Sequence, residues 1–253
     1  MINLNNHHHK LLILQLVVHV AAILGVIIYW DPWWLLVALA GKIVFNNLGA
    51  EIGYHRLITH RSFSTQPWIE ALLLLLGTFS AQGSAMGWAA NHRVHHRNSD
   101  RPGDPHPASE AIRTWFWIGT NGNATVNPTV VKDLMRRPIY RWQRDWYFTL
   151  IYITYAVVGM ISMELLVYFF LIPAALAMTS GGMLNVVCHR WGYRNFDTPD
   201  NSRNNFWVNL YSNFSGLGLH NNHHQFPDRW DNRVRADEID LSASVIRLLI
   251  TKS

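Results

Sequence analysis

The sequence predicts an all-α integral membrane protein with four transmembrane helices in two hairpins and a cytoplasmic helical cap. Three observations predict this fold class: a low charged fraction, long apolar stretches, and cations that gather at one end of each stretch. Of the 253 residues, 49% are hydrophobic and 15% are charged, whereas soluble domains contain about 25% charged residues. Cys188 is the single cysteine, so an intrachain disulfide scaffold is excluded.

Four apolar stretches are predicted to cross the bilayer. The first contains no Lys, Arg, Asp or Glu, which is typical of a transmembrane helix. The two hairpin turns, at 30–32 and near 159–164, lack Lys and Arg, whereas most cations lie at the opposite ends of the stretches. The positive-inside rule therefore places both termini and the polar segments in the cytoplasm. The expected location is the inner membrane of a bacterium. The predicted spans are 11–29, 33–52, 146–159 and 161–184.

A fifth apolar stretch, 68–86, is predicted as an interfacial helix, with a true fifth span as the alternative. Both flanks are cationic, and Gly77, Gln82 and Gly83 interrupt the stretch. A crossing here would also place the histidines before it and those after it on opposite faces of the membrane. We therefore expect one membrane domain over 1–253, with a cap formed by 55–145 and 189–253.

Nine of the fourteen histidines lie at or beyond the cytoplasmic ends of the predicted spans. They form one H-x4-H motif, two H-x2-HH motifs and one single histidine. Helix positions three and four apart share a face, so each H-x2-HH motif can direct several imidazoles together. Nine imidazoles exceed the four ligands of a zinc site, so the cap is predicted to hold two metal ions. Imidazole binds iron, zinc, copper and nickel, so the ligand type alone does not identify the metal. The nine are His55, His60, His92, His95, His96, His189, His220, His223 and His224.

Four segments of the chain resemble the membrane fatty acyl desaturases of the stearoyl-CoA, delta-9 type. They are GAEIGYHRLITHRSF, WAANHRVHHRNSD followed by DPHP, NVVCHRWGYRNF, and GLGLHNNHHQFP, and the last is most similar to bacterial members. The resemblance implies a non-haem diiron centre that inserts a cis double bond into an acyl chain with dioxygen as co-substrate. It also implies that the nine histidines bind two iron ions (Fe2+/Fe3+) and that Asn185 approaches one iron through water.

The chemistry of the reaction agrees with iron as the cofactor. Acid–base side chains cannot remove hydrogen from an unactivated methylene, and zinc has no redox chemistry. Carboxylates commonly orient metal-binding histidines, and Asp104 and Glu51 are the candidates. For Asp104 a plain turn is the alternative, and for Glu51 a contact with Asn47 or Lys42 within the bundle.

Four further residues are predicted to line the acyl channel. Gln82 and Trp88 match tunnel residues of the resembled family, although Gln82 as a helix cap and Trp88 as an interface anchor are the alternatives. Gly181 and Gly182 replace bulky residues of animal members. This loss of side-chain volume predicts a wider or rerouted acyl pocket and an altered regioselectivity. Elsewhere, Ala90 replaces an arginine that contacts coenzyme A, so acyl-CoA, acyl carrier protein and acyl lipid all remain candidate substrates.

A separate electron donor, either ferredoxin or cytochrome b5, is expected because the sequence shows no haem or flavin domain. The cationic face would attract an acidic donor and anionic membrane lipid, and no nucleic-acid partner is expected. Two alternatives to desaturation use the same site, namely acyl hydroxylation and triple-bond formation. A third alternative, a histidine-rich metal-binding or transport protein, is disfavoured because transport would need polar or ionisable groups through the spans near the midplane, and His19 and Lys42 are too few for this.

Overall fold

The computed structural model describes residues 8–116 and 128–251, and every regular element in these residues is a helix. Three helices are long and apolar enough to cross a membrane. They are α1 (His8–Ile28), α2 (Trp34–Thr59) and the helix Met163–Val187. Each of the predicted spans 11–29, 33–52 and 161–184 overlaps one of these helices.

The helix α2 continues past its predicted end at residue 52 because its winding changes. Over Ile43–Thr59 the backbone forms i→i+5 hydrogen bonds in a π-helix. The pattern persists at the C-terminal end, where the amide of His60 donates to the carbonyl of His55 at 3.1 Å. Such wide turns are rare and commonly occur at functional sites. Residues five apart consequently approach the same face of α2, which suits an H-x4-H motif.

The predicted interfacial helix is shorter than 68–86. Helix α3 covers Pro67–Thr78, and a new helix, α4, begins at Ala85 and ends at Asn98. Between them, Ala81 and Gly83 have φ angles of 58° and 98°, which lie in the left-handed region that interrupts a helix. Ser84 then caps α4 by accepting a hydrogen bond from the amide of Gly87 at 3.2 Å.

The remaining predicted span, 146–159, lies inside a longer helix, α7 (Pro138–Ile161). Arg141, Gln143 and Arg144 make the first turns of α7 polar, and α7 is not among the three helices that meet the length and hydropathy of a crossing. Its second half exposes an apolar face that includes Ile153 and Met160. Helix α8 (Met163–Val187) follows after a short break.

Shorter helices form the cap on one end of this bundle. Gly49 and Gly77 allow α2 and α3 to touch, because a Cβ on Gly49 would overlap the backbone of Gly77. One continuous apolar cluster joins α2 to the cap, and it includes Tyr54, Met86 and Ile246. The remaining helices are α5 (Ala111–Trp115), α6 (Lys132–Met135), α9 (Phe206–Tyr211), α10 (His220–Gln225) and α11 (Leu241–Leu249).

Candidate metal centre

The nine predicted histidines come together as two adjacent groups at the junction of the bundle and the cap. Within each group, one nitrogen of every imidazole lies within 4.8 Å of the others. The five-histidine group contains His55, His60, His92, His96 and His223, and the four-histidine group contains His95, His189, His220 and His224.

Each H-x2-HH helix contributes to both groups. On α4, His92 and His96 are one turn apart and belong to the five-histidine group, whereas His95 points to the other group. On α10 the division is reversed: His220 and His224 belong to the four-histidine group, and His223 belongs to the five-histidine group. The groups are neighbours, because the rings of His96 and His224 lie 4.3 Å apart. The structure therefore presents two sites side by side rather than one cavity.

Four carboxylates fix the orientation of four of these imidazoles. An ionised carboxylate only accepts hydrogen bonds, so the Nδ1 atom that it contacts carries the proton and Nε2 presents its lone pair to the group. Burial opposes ionisation of Asp100 and Asp104, but hydrogen bonds from the histidines outweigh it and lower both carboxyl pKa values. The pairs are Glu51–His55 at 2.9 Å, and Asp104–His95, Asp100–His189 and Asp200–His224, each at 2.8 Å.

Several buried Nε2 atoms of the two groups either have no hydrogen-bond partner in the described chain or face another imidazole nitrogen. Those of His60, His95 and His224 are buried with no hydrogen-bond partner among the described residues. The Nε2 of His55, whose proton is on Nδ1, lies 3.0 Å from the Nε2 of His223. A buried polar atom without a partner costs about 1–3 kcal/mol, and a cation among the nitrogens would remove that cost in both groups. The donor set therefore fits bound metal ions.

The protonation state also suits metal binding. Burial lowers the pKa values of His96, His220 and His223 well below the usual range, and neighbouring imidazoles lower them further. Burial lowers the pKa of His224 to about 4, although the hydrogen bond with Asp200 opposes the shift. Neutral imidazole is the form that coordinates a metal. These histidines are thus ready for metal binding at neutral pH.

A pocket adjoins the five-histidine group. Gln82, Trp88 and Gly181 line it, as does Glu51. The indole of Trp88 stacks on the ring of His92 with centroids 4.7 Å apart, and its Nε1 donates to Gln82 Oε1 at 2.9 Å. Trp88 therefore forms the wall between the pocket and the histidines.

The chain matches the fatty acid desaturase family over residues 32–237. It belongs to that family. The "sn-1 stearoyl-lipid 9-desaturase" of Anabaena variabilis is 35% identical over 222 residues, which are 84% of this chain and 79% of the relative. The "sn-2 palmitoyl-lipid 9-desaturase" of Nostoc sp. (strain 36) is 32% identical over 237 residues, with coverage of 87% and 81%. The "Acyl-CoA C20 Delta5-desaturase" of Anemone leveillei is 29% identical over 235 residues, with coverage of 87% and 71%.

The protein is accordingly a desaturase, an oxidoreductase of lipid metabolism, and the remaining predicted residues can be placed in it. Asn185 is buried in the last turns of α8, one helical turn before His189. Gly182 is not among the residues that line the pocket, whereas Gly181 is. A Cβ on Gly182 would overlap the main chain of Trp115, so this glycine lets α5 pack on α8.

Sequence reasoning missed three residues of this desaturase. Asp100 and Asp200 hold histidines of the four-histidine group, although neither was a candidate. Asp100 lies four positions after His96, and this proximity was an available signal, whereas Asp200 lies in a loop without a motif. Lys42, which was considered only as a possible contact of Glu51 and as a polar group within a span, lines the pocket. An ionisable side chain within a predicted span was the signal for Lys42.

Proposed function

We propose that this desaturase inserts a cis double bond into an acyl chain in an oxygen-dependent reaction at a diiron centre. The observation that carries the proposal is the pair of histidine groups, in which three buried Nε2 atoms have no hydrogen-bond partner in the described chain, beside a pocket that Trp88 lines. When bound, two irons supply with dioxygen the oxidising chemistry that removal of hydrogen from an unactivated methylene requires. The nine histidines would hold them, and Asn185 would approach one of them through water.

The residues around the histidines position the substrate and the ligands. Asp100, Asp104 and Asp200 each keep a proton on one Nδ1 atom and so keep the opposite nitrogen free to coordinate. Glu51 does the same for His55 and also lines the pocket. Trp88 presents an apolar face to the acyl chain and limits access of water to the histidine groups.

We propose four crossings, with the apolar half of α7 as the additional one. The rings of His95 and His189 lie 5.3 Å apart, so the chain before α7 and the chain after α8 meet on one side of the membrane. If α8 crosses, α7 must cross as well. The same reasoning supports a non-crossing α3, because the rings of His60 and His92 are 4.9 Å apart. The cap and both termini are then cytoplasmic, in a bacterial inner membrane.

A membrane lipid is the proposed carrier of the acyl group. Two of the three relatives above are named for lipid substrates and one for acyl-CoA. Ala90 is buried and offers no charge to a coenzyme A phosphate. Electrons would come from a separate acidic protein, a ferredoxin or a cytochrome b5, which the exposed cations Arg97, Arg136 and Arg229 favour.

The test combines metal content with product analysis. After expression in iron-replete medium, we expect about two irons per chain and a new monounsaturated acyl group in the glycerolipid fraction. His92→Ala should abolish both, whereas His19→Gln is the matched control, because His19 lies in α1 outside both groups. An added oxygen atom would indicate hydroxylation, and loss of four hydrogens a triple bond. Reversible zinc binding without iron would overturn the proposal in favour of metal transport.

A further inference from the structure

One side of the short helix α9 is apolar and exposed. Phe206, Trp207 and Leu210 form this side, and Trp207 is 72% exposed. The other side of α9, which includes Val208 and Asn209, is buried in the cap. A cluster of exposed large apolar residues marks an interaction surface more often than scattered single residues do. We refer to Phe206, Trp207 and Leu210 as the α9 face.

Contacts with two of the long apolar helices fix the position of α9. The hydroxyl of Tyr211, its last residue, donates to the carbonyl of Leu176 in α8 at 3.3 Å. The carbonyl of Tyr211 accepts from Nζ of Lys42 in α2. The turn that follows is held as well, because Nδ2 of Asn47 donates to the carbonyl of Ser212 at 3.0 Å. Helix α9 therefore lies against the sides of α2 and α8, and not on the outer side of the cap.

The depth of α9 follows from contacts of the neighbouring chain. Nε2 of Gln82 donates at 3.2 Å to the carbonyl of Ala177, which is adjacent to the α8 carbonyl that holds α9. The next residue, Gly83, lies beside α1, since a Cβ on it would be 3.5 Å from Leu11. Leu11 comes directly after Lys10, the cation that precedes the apolar part of α1. Helix α9 thus lies near the level at which α1 enters the bilayer.

The composition of this surface suits lipid. Trp, Phe and Leu are the apolar residues typical of helices that lie in the plane of a membrane. Trp191, also exposed, extends the surface, because Nδ2 of Asn205 donates to its carbonyl at 3.1 Å. The side of α2 that faces lipid continues it, since Leu39 and Ile43 are exposed around the lysine that contacts α9. An acidic electron donor would require cations, whereas the α9 face consists of apolar side chains.

We propose that α9 is an in-plane membrane helix whose exposed face inserts into the cytoplasmic leaflet of the bilayer. The proposal rests on the membrane topology of the proposed function. Ser212, Ser215 and Leu217, which follow α9, line the pocket. Insertion of α9 holds this wall of the pocket beside the acyl chains of the leaflet. An acyl chain of a membrane lipid then reaches the pocket without passing through water.

The test uses the single cysteine of the chain. Cys188 is 0% exposed, so a thiol-reactive NBD fluorophore labels a cysteine introduced at the surface. Labelled Trp207→Cys is reconstituted as the full chain into vesicles of phosphatidylethanolamine and phosphatidylglycerol. A fraction of the lipids carries a nitroxide on the acyl chain, which quenches nearby fluorophores. We expect blue-shifted emission and quenching by the nitroxide lipid, and Leu210→Cys, on the same face, should behave alike.

Two further labelled positions are the matched controls. Asp197→Cys should keep the emission of a label in water, because the side chain of Asp197 is fully exposed in the loop before α9. Ile23→Cys should be quenched, because Ile23 is exposed on α1 within a predicted span. Quenching at Ile23→Cys but at neither α9 position would overturn the proposal and leave the topology standing. Absence of quenching at all four positions would overturn the topology and the proposal together.

The remaining outcomes separate lipid from protein as the partner and the proposal from the enzyme activity. A blue shift at Trp207→Cys that grows with protein density in the vesicle, without nitroxide quenching, would indicate contact with a second copy and overturn the proposal. Quenching at the α9 face in vesicles that contain no new unsaturated acyl group would support the proposal while the proposed function failed. Desaturation by a protein whose α9 labels remain in water would do the opposite.

Discussion

Replacing Arg56 should destabilise the desaturase more than most other single substitutions. The guanidinium is 1% exposed and donates to Glu51 and Asp240, each at 2.9 Å. It also donates to the carbonyls of Trp230 and Ser215, at 2.6 and 2.7 Å. Arg56→Met keeps the apolar stem but leaves two buried carboxylates and two carbonyls without these donors. Breaking a buried ion pair from one side costs about 3–5 kcal/mol.

The cost can be measured as a shift in the thermal midpoint in detergent. For a chain of this size about 1 kcal/mol shifts Tm by roughly 2–4 °C, so Arg56→Met should lower Tm by roughly 6–20 °C. The variant should also bind metal more weakly, because Glu51 loses the partner that holds it against His55. Arg56 thus connects the first histidine motif to Asp240, which caps α11 by accepting from the amide of Ala243 at 2.9 Å.

Two variants make this prediction refutable. Arg247→Met is the matched control, since Arg247 is exposed on α11 and surface substitutions change stability by about 0.5 kcal/mol or less. The double variant Glu51→Gln, Arg56→Met should recover part of the loss, because it removes one of the two unpaired charges. A fall in Tm of less than about 2 °C for Arg56→Met, similar to the control, would refute the reasoning.

Three further predictions concern the carboxylates and the adjacent glycines. Asp200→Asn should weaken metal binding about 10–100-fold in competition with a chelator, because His224 loses its orienting carboxylate; unchanged affinity would contradict this. Buried Glu238 has a lowered pKa, since hydrogen bonds from the Arg235 and Val234 amides outweigh its burial. Its contribution to stability is therefore present above the ordinary value of about 4.3 and is lost as pH falls through the lower folded pKa. Wild type should exceed Glu238→Gln in Tm at pH 7, and the difference should vanish in acid; a constant difference would argue against the ionised form. Gly182→Ala should cost about 1–3 kcal/mol by overpacking, whereas Gly181→Ala should change product distribution and leave Tm unchanged; equal Tm losses would refute the placement.

The grouping of most of the histidines was predictable from the sequence because their spacing carries the geometry. His92 with His96, and His220 with His224, are each one helical turn apart, so any helix brings them together. The proximity of His55 and His60 was harder to predict, because side chains five positions apart point in different directions on an α-helix. Their rings lie 4.8 Å apart because the π-helical winding of α2 compensates, and hydrophobic periodicity does not reveal that winding.

Three features could not be read from the sequence, each for its own physical reason. Asp200 reaches His224 through the path of a loop, which local sequence does not specify. Gly181 and Gly182 are adjacent on α8, but successive helix positions point in different directions, so one lines the pocket and the other contacts α5. The break after α3 depends on left-handed backbone angles at Ala81, a residue type that gives no signal of them.

The division of each H-x2-HH helix between the two histidine groups has a consequence for metal loading. A rotation of α4 that improves the fit of His92 and His96 to one ion also moves His95 relative to the other, and the same holds for α10. An ion bound by one group should therefore change the affinity of the other group for its ion. A metal titration followed by calorimetry should show two coupled binding events, and two independent ones would contradict the expectation.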